Sequence, residues 1–193
     1  MKVGVLGLQG AFREHQRSLS RLGVDTVVVK RINELSGISG LVIPGGESTA
    51  ISLIGGKSFL SRLRKLAQGS LPFFGTCAGM ILLAREIQGQ DDAYIRAIDI
   101  TVARNASGRQ VHSFEAQLAV EGIANDIPAV FIRAPYITRL GAGVSRLAEY
   151  EGNVVMARQG NVLVSSFHPE LTDDLRIHEY FLSIVKQENQ EVD

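Results

Sequence analysis

The sequence contains a single cysteine, Cys77, and no tryptophan among its 193 residues. One cysteine cannot form a disulfide within the chain, and it falls short of the several thiolates that structural zinc sites usually use. No apolar stretch approaches the ~18 residues of a membrane span, and the first residues lack the form of a secretory signal peptide. We therefore expect a cytoplasmic protein, because the reducing cytoplasm keeps a lone thiol free.

An excess of either charge is also absent. Lys plus Arg and Asp plus Glu both number 20, so the formal net charge is zero. A surface that attracts nucleic acid or membrane lipid is therefore not indicated, and we expect neither as a partner. Repeats, linkers and low-complexity segments are absent too, and the length fits one domain that spans residues 1–193.

Short apolar runs alternate with helical patterns in the first half of the chain. Strands are predicted at residues 3–8, 24–29, 40–44 and 71–76, and helices at 11–22, 59–67 and 78–86. The second half predicts strands at 98–103, 113–120, 129–135, 153–157 and 162–167, and a last helix that follows an N-cap at Thr172. This order predicts an α/β protein, a flavodoxin-like three-layer sandwich whose mixed, mostly parallel central sheet has helices on both faces.

Cys77 lies where a predicted buried strand meets a predicted helix, within Phe73-Phe74-Gly75-Thr76-Cys77-Ala78-Gly79. Hydrolases place a nucleophile at such a strained strand-to-helix turn. The start of the helix favours a thiolate, and the backbone N–H of Ala78 would point toward a developing oxyanion. The alternative is a buried structural cysteine.

A nucleophile needs a base, and His168 is the strongest candidate. It ends a predicted strand and precedes Pro169-Glu170. Proline favours an extended conformation for the residue before it, and residues i and i+2 of an extended segment face the same way. Glu170 can therefore accept a hydrogen bond from one ring nitrogen while the other nitrogen faces the thiol. The alternative is a His-Pro turn on the surface.

The other three histidines are weaker candidates. His15 and His178 lie on predicted helices among polar neighbours, so we expect both to be exposed to solvent. His112 stands between Val111 and Ser113, where a loop enters a predicted strand, and its role is ambiguous.

A third motif, Pro44-Gly45-Gly46-Glu47-Ser48-Thr49, follows another predicted buried strand. If the strands are parallel, this loop lies at the same sheet edge as Cys77. Consecutive glycines expose backbone N–H groups that suit an oxyanion or a carboxylate. A nucleotide loop is excluded by spacing, because Gly56-Lys57-Ser58 would need its first glycine where Ile51 stands. The alternative is a plain tight turn.

Together these motifs resemble the class I glutamine amidotransferases, and in particular the branch that serves pyridoxal 5′-phosphate synthesis. The resemblance covers essentially the whole chain and rests on residues 4–10, 44–49, 74–79, 104–105, 108–111, 113–115, 131–135 and 166–172. It implies a catalytic triad of Cys77, His168 and Glu170. The chain departs from the family pattern at Ser107, His112 and Tyr136, none of which belongs to the implied triad.

The resemblance also implies a binding site for glutamine. The residues expected to hold the substrate are Gly46, Glu47, Ser48, Arg104, Ile132 and Arg133. The oxyanion would meet backbone N–H groups of Gly45, Gly46 and Ala78, with Gln9 nearby.

The activity implied is hydrolysis of L-glutamine to L-glutamate and ammonia. The ammonia would pass directly to a synthase subunit in a large hetero-oligomer that makes pyridoxal 5′-phosphate, which is a product and not a cofactor of this chain. No metal or cofactor is expected.

Other functions remain open at this point. The chain could be the glutaminase of another complex, such as that of histidine biosynthesis, although Arg104-Asn105 and Ile132-Arg133-Ala134-Pro135 speak against it. A non-catalytic stress or chaperone protein of the same fold would explain an oxidisable Cys77 but leaves His168-Pro169-Glu170 without a role. A cysteine peptidase would need a peptide groove.

Overall fold

The apolar runs of the first half form parallel strands, as predicted. The computed structural model describes residues 1–104 and 113–190. Its first strands are β1 (Lys2–Leu6), β2 (Asp25–Val29), β3 (Gly40–Ile43) and β4 (Phe73–Thr76), and the helices between them are α1 (Phe12–Arg21) and α2 (Ser48–Ala67). The order β2-β1-β3-β4 is parallel throughout, so the loops after β1, β3 and β4 meet at one edge of the sheet.

The second half extends this sheet in mixed orientation. Its elements are α3 (Ala78–Leu83), β5 (Ala84–Ile87), β6 (Ile98–Ala103), β7 (Phe114–Val120), β8 (Ala124–Phe131), β9 (Tyr136–Leu140), β10 (Ser145–Tyr150), β11 (Asn153–Gln159), β12 (Val162–Ser165) and α4 (Arg176–Gln190). The sheet continues β4-β12-β11-β9-β6-β5, with β10 on β11, while β7 and β8 form a separate hairpin. Because β12 is parallel to β4, His168 follows a strand that ends at the same edge as Cys77.

Two hydrophobic cores lie on opposite faces of the sheet, because neighbouring strand residues point in opposite directions. On β3, Leu41 and Ile43 pack with α2 and α3, whereas Val42 packs with α1 and α4. The predicted α/β architecture with helices on both faces is thus confirmed. No helix within the described residues is long and apolar enough to cross a membrane.

Several predicted boundaries are wrong. The helix expected over 78–86 ends at Leu83, and Ala84–Ile87 forms β5 beside β6. Within β5 the end residues are buried and the middle two exposed, so pairing with a neighbouring strand outweighs the helical pattern of the apolar run.

The strand expected over 129–135 is also misplaced. It begins at Ala124, ends at Phe131 and is followed by β9 and β10, which the sequence pattern did not predict. Pro128 interrupts the sequence pattern of a strand within β8. It is tolerated in a two-stranded hairpin because one side of each strand needs no hydrogen-bond partner. The last helix begins at Arg176 and not after Thr172, because the Asp174 carboxylate accepts a hydrogen bond from the Arg176 N–H at 2.9 Å.

Candidate active site

Cys77 occupies a strained turn between β4 and α3. Its backbone has φ 48° and ψ −102°, a region that non-glycine residues rarely adopt. The turn is secured by the Cys77 N–H, which donates to Ser165 O at 2.8 Å. The side chain is 6% exposed and carries a free thiol. Strain of this kind persists where the surrounding structure enforces it, often at functional sites.

The glycines on either side of Cys77 allow this turn to pack closely. A Cβ atom at Gly79 would overlap the carbonyl group of Ile43 on β3, and one at Gly75 would lie 2.6 Å from the carbonyl carbon of Gly79. Both positions therefore need glycine because neighbouring backbone occupies the space. The small residues that the sequence places around the cysteine bring the start of α3 against the end of β3.

His168 and Glu170 form the pair that the His-Pro-Glu motif predicted. The His168 Nδ1 donates to Glu170 Oε1 at 2.8 Å, and both side chains are almost fully buried. A Cβ atom at Gly45 would overlap the His168 ring and lie 3.4 Å from Cys77 Cβ. Gly45 therefore leaves room for the imidazole beside the thiol.

The charges of this pair are set by their contacts. Burial alone lowers the pKa of His168, but hydrogen bonds and charge interactions with Cys77 and Glu170 outweigh it and raise the pKa to about 10. Burial raises the pKa of Glu170, but His15 and His168 outweigh it and hold that pKa well below its usual range. At neutral pH the site therefore contains an imidazolium and a carboxylate.

A cavity of about 670 Å³ opens in front of Cys77. It is lined by Gln9, Gly46, Glu47, Ser48, Cys77, Ala78, Ile81, Arg104, Ser113, Ile132, Arg133, Pro135 and His168. Every residue predicted to bind substrate lies in this lining. Of the other candidates, Gly45 lies behind the His168 ring and Glu170 on its far side.

Gln9 is built into the floor of the cavity. Its side-chain carbonyl accepts a hydrogen bond from the Glu47 N–H at 2.8 Å. A Cβ atom at Gly46 would overlap that carbonyl oxygen, and the Ala11 N–H donates to Gly45 O at 3.0 Å. The loops after β1 and β3 are thus fastened together, which holds the backbone that would bind an oxyanion.

The carboxylate of Glu47 caps α2. It accepts hydrogen bonds from the N–H groups of Thr49 at 3.1 Å and Ala50 at 2.6 Å. Burial raises the pKa of Glu47, but these bonds and the charge of Arg104 together outweigh the burial and lower that pKa. Ser48 is buried beneath it.

Arg104 lies at the mouth of the cavity and is held by Tyr94, a residue that the sequence motifs did not single out. The Tyr94 hydroxyl accepts from Arg104 Nη2 at 2.7 Å, and Thr49 Oγ1 accepts from Nη1 at 3.4 Å. Nε is buried and has no hydrogen-bond partner among the described residues. Tyr94 and Thr49 thus hold the guanidinium in place at the cavity.

The Ile132-Arg133 segment closes the opposite wall. Ile132 O lies 3.9 Å from Cys77 Sγ. Arg133 has a φ of 47°, a second strained non-glycine backbone in the cavity wall. The His168 N–H donates to Val130 O at 2.8 Å, which ties this wall to the histidine.

The expectation that His15 and His178 are exposed is wrong, since both are fully buried. His15 Nδ1 lies 2.9 Å from His178 Nε2, and His15 Nε2 lies 3.4 Å from Glu170 Oε2. The sequence did contain a signal. His15 falls three residues after Phe12 and four before Leu19, which is the spacing of one helix face.

Two of the departures from the family pattern, Ser107 and His112, lie outside the described residues. The third, Tyr136, is buried at the start of β9. Within residues 1–104 and 113–190, no group of three or more His, Cys, Asp or Glu side chains is arranged to hold a metal ion.

The fold and the site define a class: α/β enzymes in which a cysteine at a strand-to-helix turn faces a histidine that a carboxylate orients. A model of the SNO glutamine amidotransferase family matches residues 5–187, and the chain belongs to that family. The resemblance inferred from the motifs is confirmed.

Individual relatives agree with this assignment. A protein of Geobacillus sp. named pyridoxal 5′-phosphate synthase subunit PdxT is 53% identical, with 97% of this chain and 98% of the relative covered. A protein of the same name from Carboxydothermus hydrogenoformans is 54% identical, with 96% and 98% covered. A solved glutamine amidotransferase superposes with a TM-score of 0.90 at 49% identity, over 95% of this chain and 98% of that structure.

Proposed function

We propose that this chain is the glutaminase subunit of a pyridoxal 5′-phosphate synthase. It hydrolyses L-glutamine to L-glutamate and ammonia, and the ammonia passes to a synthase subunit in a hetero-oligomer. The observation that carries the proposal is the single cavity into which Cys77, His168, Arg104 and the Gly46 loop all converge. The names of relatives that match almost the whole chain at more than half identity support it.

The first chemical step is attack of the Cys77 thiolate on the side-chain amide carbon of glutamine. The new C–S bond forms as the C=O π electrons move onto oxygen, where the N–H groups of Ala78 and of the Gly45-Gly46 pair stabilise the oxyanion. One such donor contributes about 3–4 kcal/mol. His168, protonated because of its raised pKa, donates its proton to the amide nitrogen. The C–N bond then breaks, and ammonia leaves behind a thioester.

Hydrolysis of the thioester completes the cycle. His168 is now neutral and accepts a proton from a water molecule as that water attacks the thioester carbon. The C–S bond breaks, glutamate departs, and the thiolate and imidazolium are restored. Glu170 holds the ring so that Nδ1 keeps its proton and the other nitrogen serves both steps.

The charges at the cavity mouth suit a free amino acid. The guanidinium of Arg104, which lines the cavity, can bind the α-carboxylate of glutamine. The carboxylate of Glu47, negative because of its lowered pKa, lies within the electrostatic reach of the α-ammonium. This pairing explains the choice of a small zwitterion over a peptide, whose internal residues lack both charges.

Two further expectations belong to this proposal. The chain forms one domain over residues 1–193, and it acts in the cytoplasm, where its thiol stays reduced. Direct transfer to the synthase subunit follows from chemistry, because ammonia released into neutral water is protonated and loses its nucleophilic lone pair.

The alternatives gain no support from these observations. The relatives carry the name of the vitamin pathway, and a glutaminase of histidine biosynthesis is not indicated. The buried thiol beside an oriented histidine gives His168 and Glu170 a role that an oxidation-sensing protein would lack.

The test is replacement of the nucleophile in the assembled complex. Cys77→Ala, assayed with the synthase subunit and glutamine, should lose glutamate release entirely, whereas Ser183→Ala, an exposed helix position, should keep the wild-type rate. Added ammonium should restore pyridoxal phosphate formation in the Cys77→Ala complex. Glutamate release by Cys77→Ala at the wild-type rate would contradict the proposal.

A further inference from the structure

A pair of buried histidines lies behind the triad, on the side of Glu170 that faces away from the cavity. His15 on α1 and His178 on α4 are both fully buried, and His15 Nδ1 lies 2.9 Å from His178 Nε2. The other nitrogen of His15 lies 3.1 Å from Thr76 Oγ1 and 3.4 Å from Glu170 Oε2. Glu170 Oε2 forms no hydrogen bond among the described residues, so the 3.4 Å approach of His15 Nε2 is an electrostatic contact. The one carboxylate oxygen that His168 does not use therefore faces His15.

The partners determine where the protons of these rings lie. Glu170 is ionised, so the nitrogen that faces it must donate, and the proton of His15 is on Nε2. His15 Nδ1 is then an acceptor, and His178 Nε2 must donate to it. His178 Nδ1 has no hydrogen-bond partner among the described residues and carries the lone pair. The opposite assignment would turn a lone pair of His15 toward a carboxylate and bury an unpaired N–H group.

Thr76 connects His15 to the other oxygen of the Glu170 carboxylate. Its hydroxyl accepts from His15 Nε2 and donates to Glu170 Oε1 at 3.4 Å. Phe74 packs edge-on against both histidine rings, with centroids 6.0 Å away in each case, so neither ring is free to turn. Every polar group on this side of Glu170 thus has one orientation.

We propose that His15 is a positioning residue of the triad. With its tautomer set by His178, it directs its Nε2–H at Thr76 and lies 3.4 Å from the rear oxygen of Glu170, and these contacts keep that carboxylate turned toward His168. The inference rests on the proposed glutaminase function for its kinetic consequence but on geometry alone for its tautomers. It extends the triad by two residues that lie 163 positions apart in the chain.

The charge of Glu170 is exposed to few other groups. The ring of His168 faces it from the loop after β12, His15 from α1 and His178 from α4. A neighbouring cavity of about 250 Å³ brings Glu14, Arg17 and Arg21 of α1 and Asp173 to its outer side. Two of these four side chains are negative and two are positive. Their net charge is zero, so they cannot compensate for removal of the His15 donor.

The kinetic test compares His15→Leu with His15→Gln in the complex with the synthase subunit. Leucine removes the donor, whereas the glutamine amide can place an N–H near the position of Nε2. We expect kcat for glutamate release to fall about 10- to 100-fold in His15→Leu, with KM within about threefold, and to recover most of that loss in His15→Gln. Equal loss in both variants, or loss confined to KM, would overturn the proposal.

The pH profile separates positioning from simple packing. Loss of the donor raises the pKa of Glu170, so the acid limb of kcat/KM should move up by about one pH unit or more in His15→Leu. Gln16→Leu is the matched control, because it removes a hydrogen bond to Thr26 at 3.1 Å from the same helix without touching Glu170. The control should keep the wild-type profile. An unshifted acid limb in His15→Leu contradicts the inference.

A second measurement needs neither variant nor activity. Nitrogen NMR of the histidine rings in the wild-type chain should show a proton on Nε2 of both His15 and His178. A proton on His15 Nδ1 would refute the chain of donors even if the protein proves to have another function. Absence of glutamine hydrolysis in the wild-type complex would instead count against the proposed function and leave the tautomers to be judged separately.

Discussion

One buried histidine lies on the cavity side of Glu170 and a pair lies on the core side, and His168 and His178 behave in opposite ways. His168 on the cavity side has its pKa raised to about 10, and His178 on the core side has its pKa lowered to about 3. Burial lowers the pKa of both rings. The difference is that His168 contacts Glu170 and Cys77 directly. His178 contacts His15 and interacts with the charge of Glu170 only at a distance. A charged partner, and not burial, therefore decides which histidine can deliver a proton.

Removal of the Glu170 charge, which lies between His168 and His15, should have the largest effect. Glu170→Gln leaves the shape but removes the carboxylate, so the pKa of His168 should fall toward that of an ordinary buried imidazole. We expect kcat for glutamate release to fall about 10⁴-fold, by analogy with the loss of the orienting acid in other triads. This is less than the complete loss in Cys77→Ala. Steady-state assays in the complex and NMR titration of His168 check both parts, and full activity would remove Glu170 from the triad.

Displacement of the cavity-side histidine alone should have the next largest effect. Gly45→Ala places a Cβ atom 2.7 Å from His168 Nδ1 and in overlap with the ring carbon beside it. The ring must move from Cys77, so we expect kcat to fall about 100-fold while the pKa of His178 stays unchanged. Gly69→Ala, where the new atom would meet only Leu66 O at an ordinary 3.4 Å, serves as the control. Unaltered kcat in Gly45→Ala would show that the ring is not confined as described.

A change of Arg104 at the cavity mouth should weaken glutamine binding and leave His168 and His178 unaffected. Arg104→Lys loses the fork of donors that Tyr94 and Thr49 hold in place. We expect KM for glutamine to rise about tenfold with kcat changed less than about threefold. The exposed Arg62→Lys on α2 should match the wild type. If kcat falls and KM does not change, Arg104 acts on the reacting atoms and not on the carboxylate.

The smallest effect concerns acid stability and comes from the core side. The pKa of His178 is lower in the folded chain than in the unfolded one, so unfolding takes up a proton below about pH 6.5. The free energy of unfolding therefore decreases as the pH decreases below that value. His178→Phe should remove roughly 1 kcal/mol per pH unit from the slope of unfolding free energy between pH 6 and pH 4. Urea unfolding at several pH values measures this slope. An identical slope in the variant would mean that His178 is already charged in the fold.

The cavity side has the opposite dependence. The raised pKa of His168 contributes stability that is fully present below about pH 6.5 and is lost as pH rises toward 10. Urea unfolding of wild-type protein between pH 7 and pH 10 should therefore show a decline that His168→Asn reduces.

The motifs of the chain predicted the cavity side well because each motif is local. The strand-to-helix turn at Cys77 follows from glycines two residues away on either side, and the pairing of His168 with Glu170 follows from an extended segment across one proline. Parallel strands then carry these loops to one edge. The structure confirms the turn, the hydrogen bond and the shared edge.

The sequence predicted the core side poorly for a physical reason. His15 and His178 are flanked by polar residues, and flanking residues say little about burial in a helix, where the relevant neighbours are three and four positions away. The positions of Phe12 and Leu19 placed His15 on the apolar face of α1. No local pattern, however, could indicate that α4 brings another histidine to within 2.9 Å of it.

By itself, the sequence determined the α/β order of elements, the strand-to-helix turn at Cys77, the pairing of His168 with Glu170, and the family. Periodicity, proline and glycine act over a few residues, and the features just named depend only on such local signals. Only the tertiary structure decided that β5 is a strand, that Tyr94 holds Arg104, and that two histidines stand behind Glu170. Those contacts join residues far apart in the chain, and their free energy comes from burial and pairing that exist only after the sheet has formed.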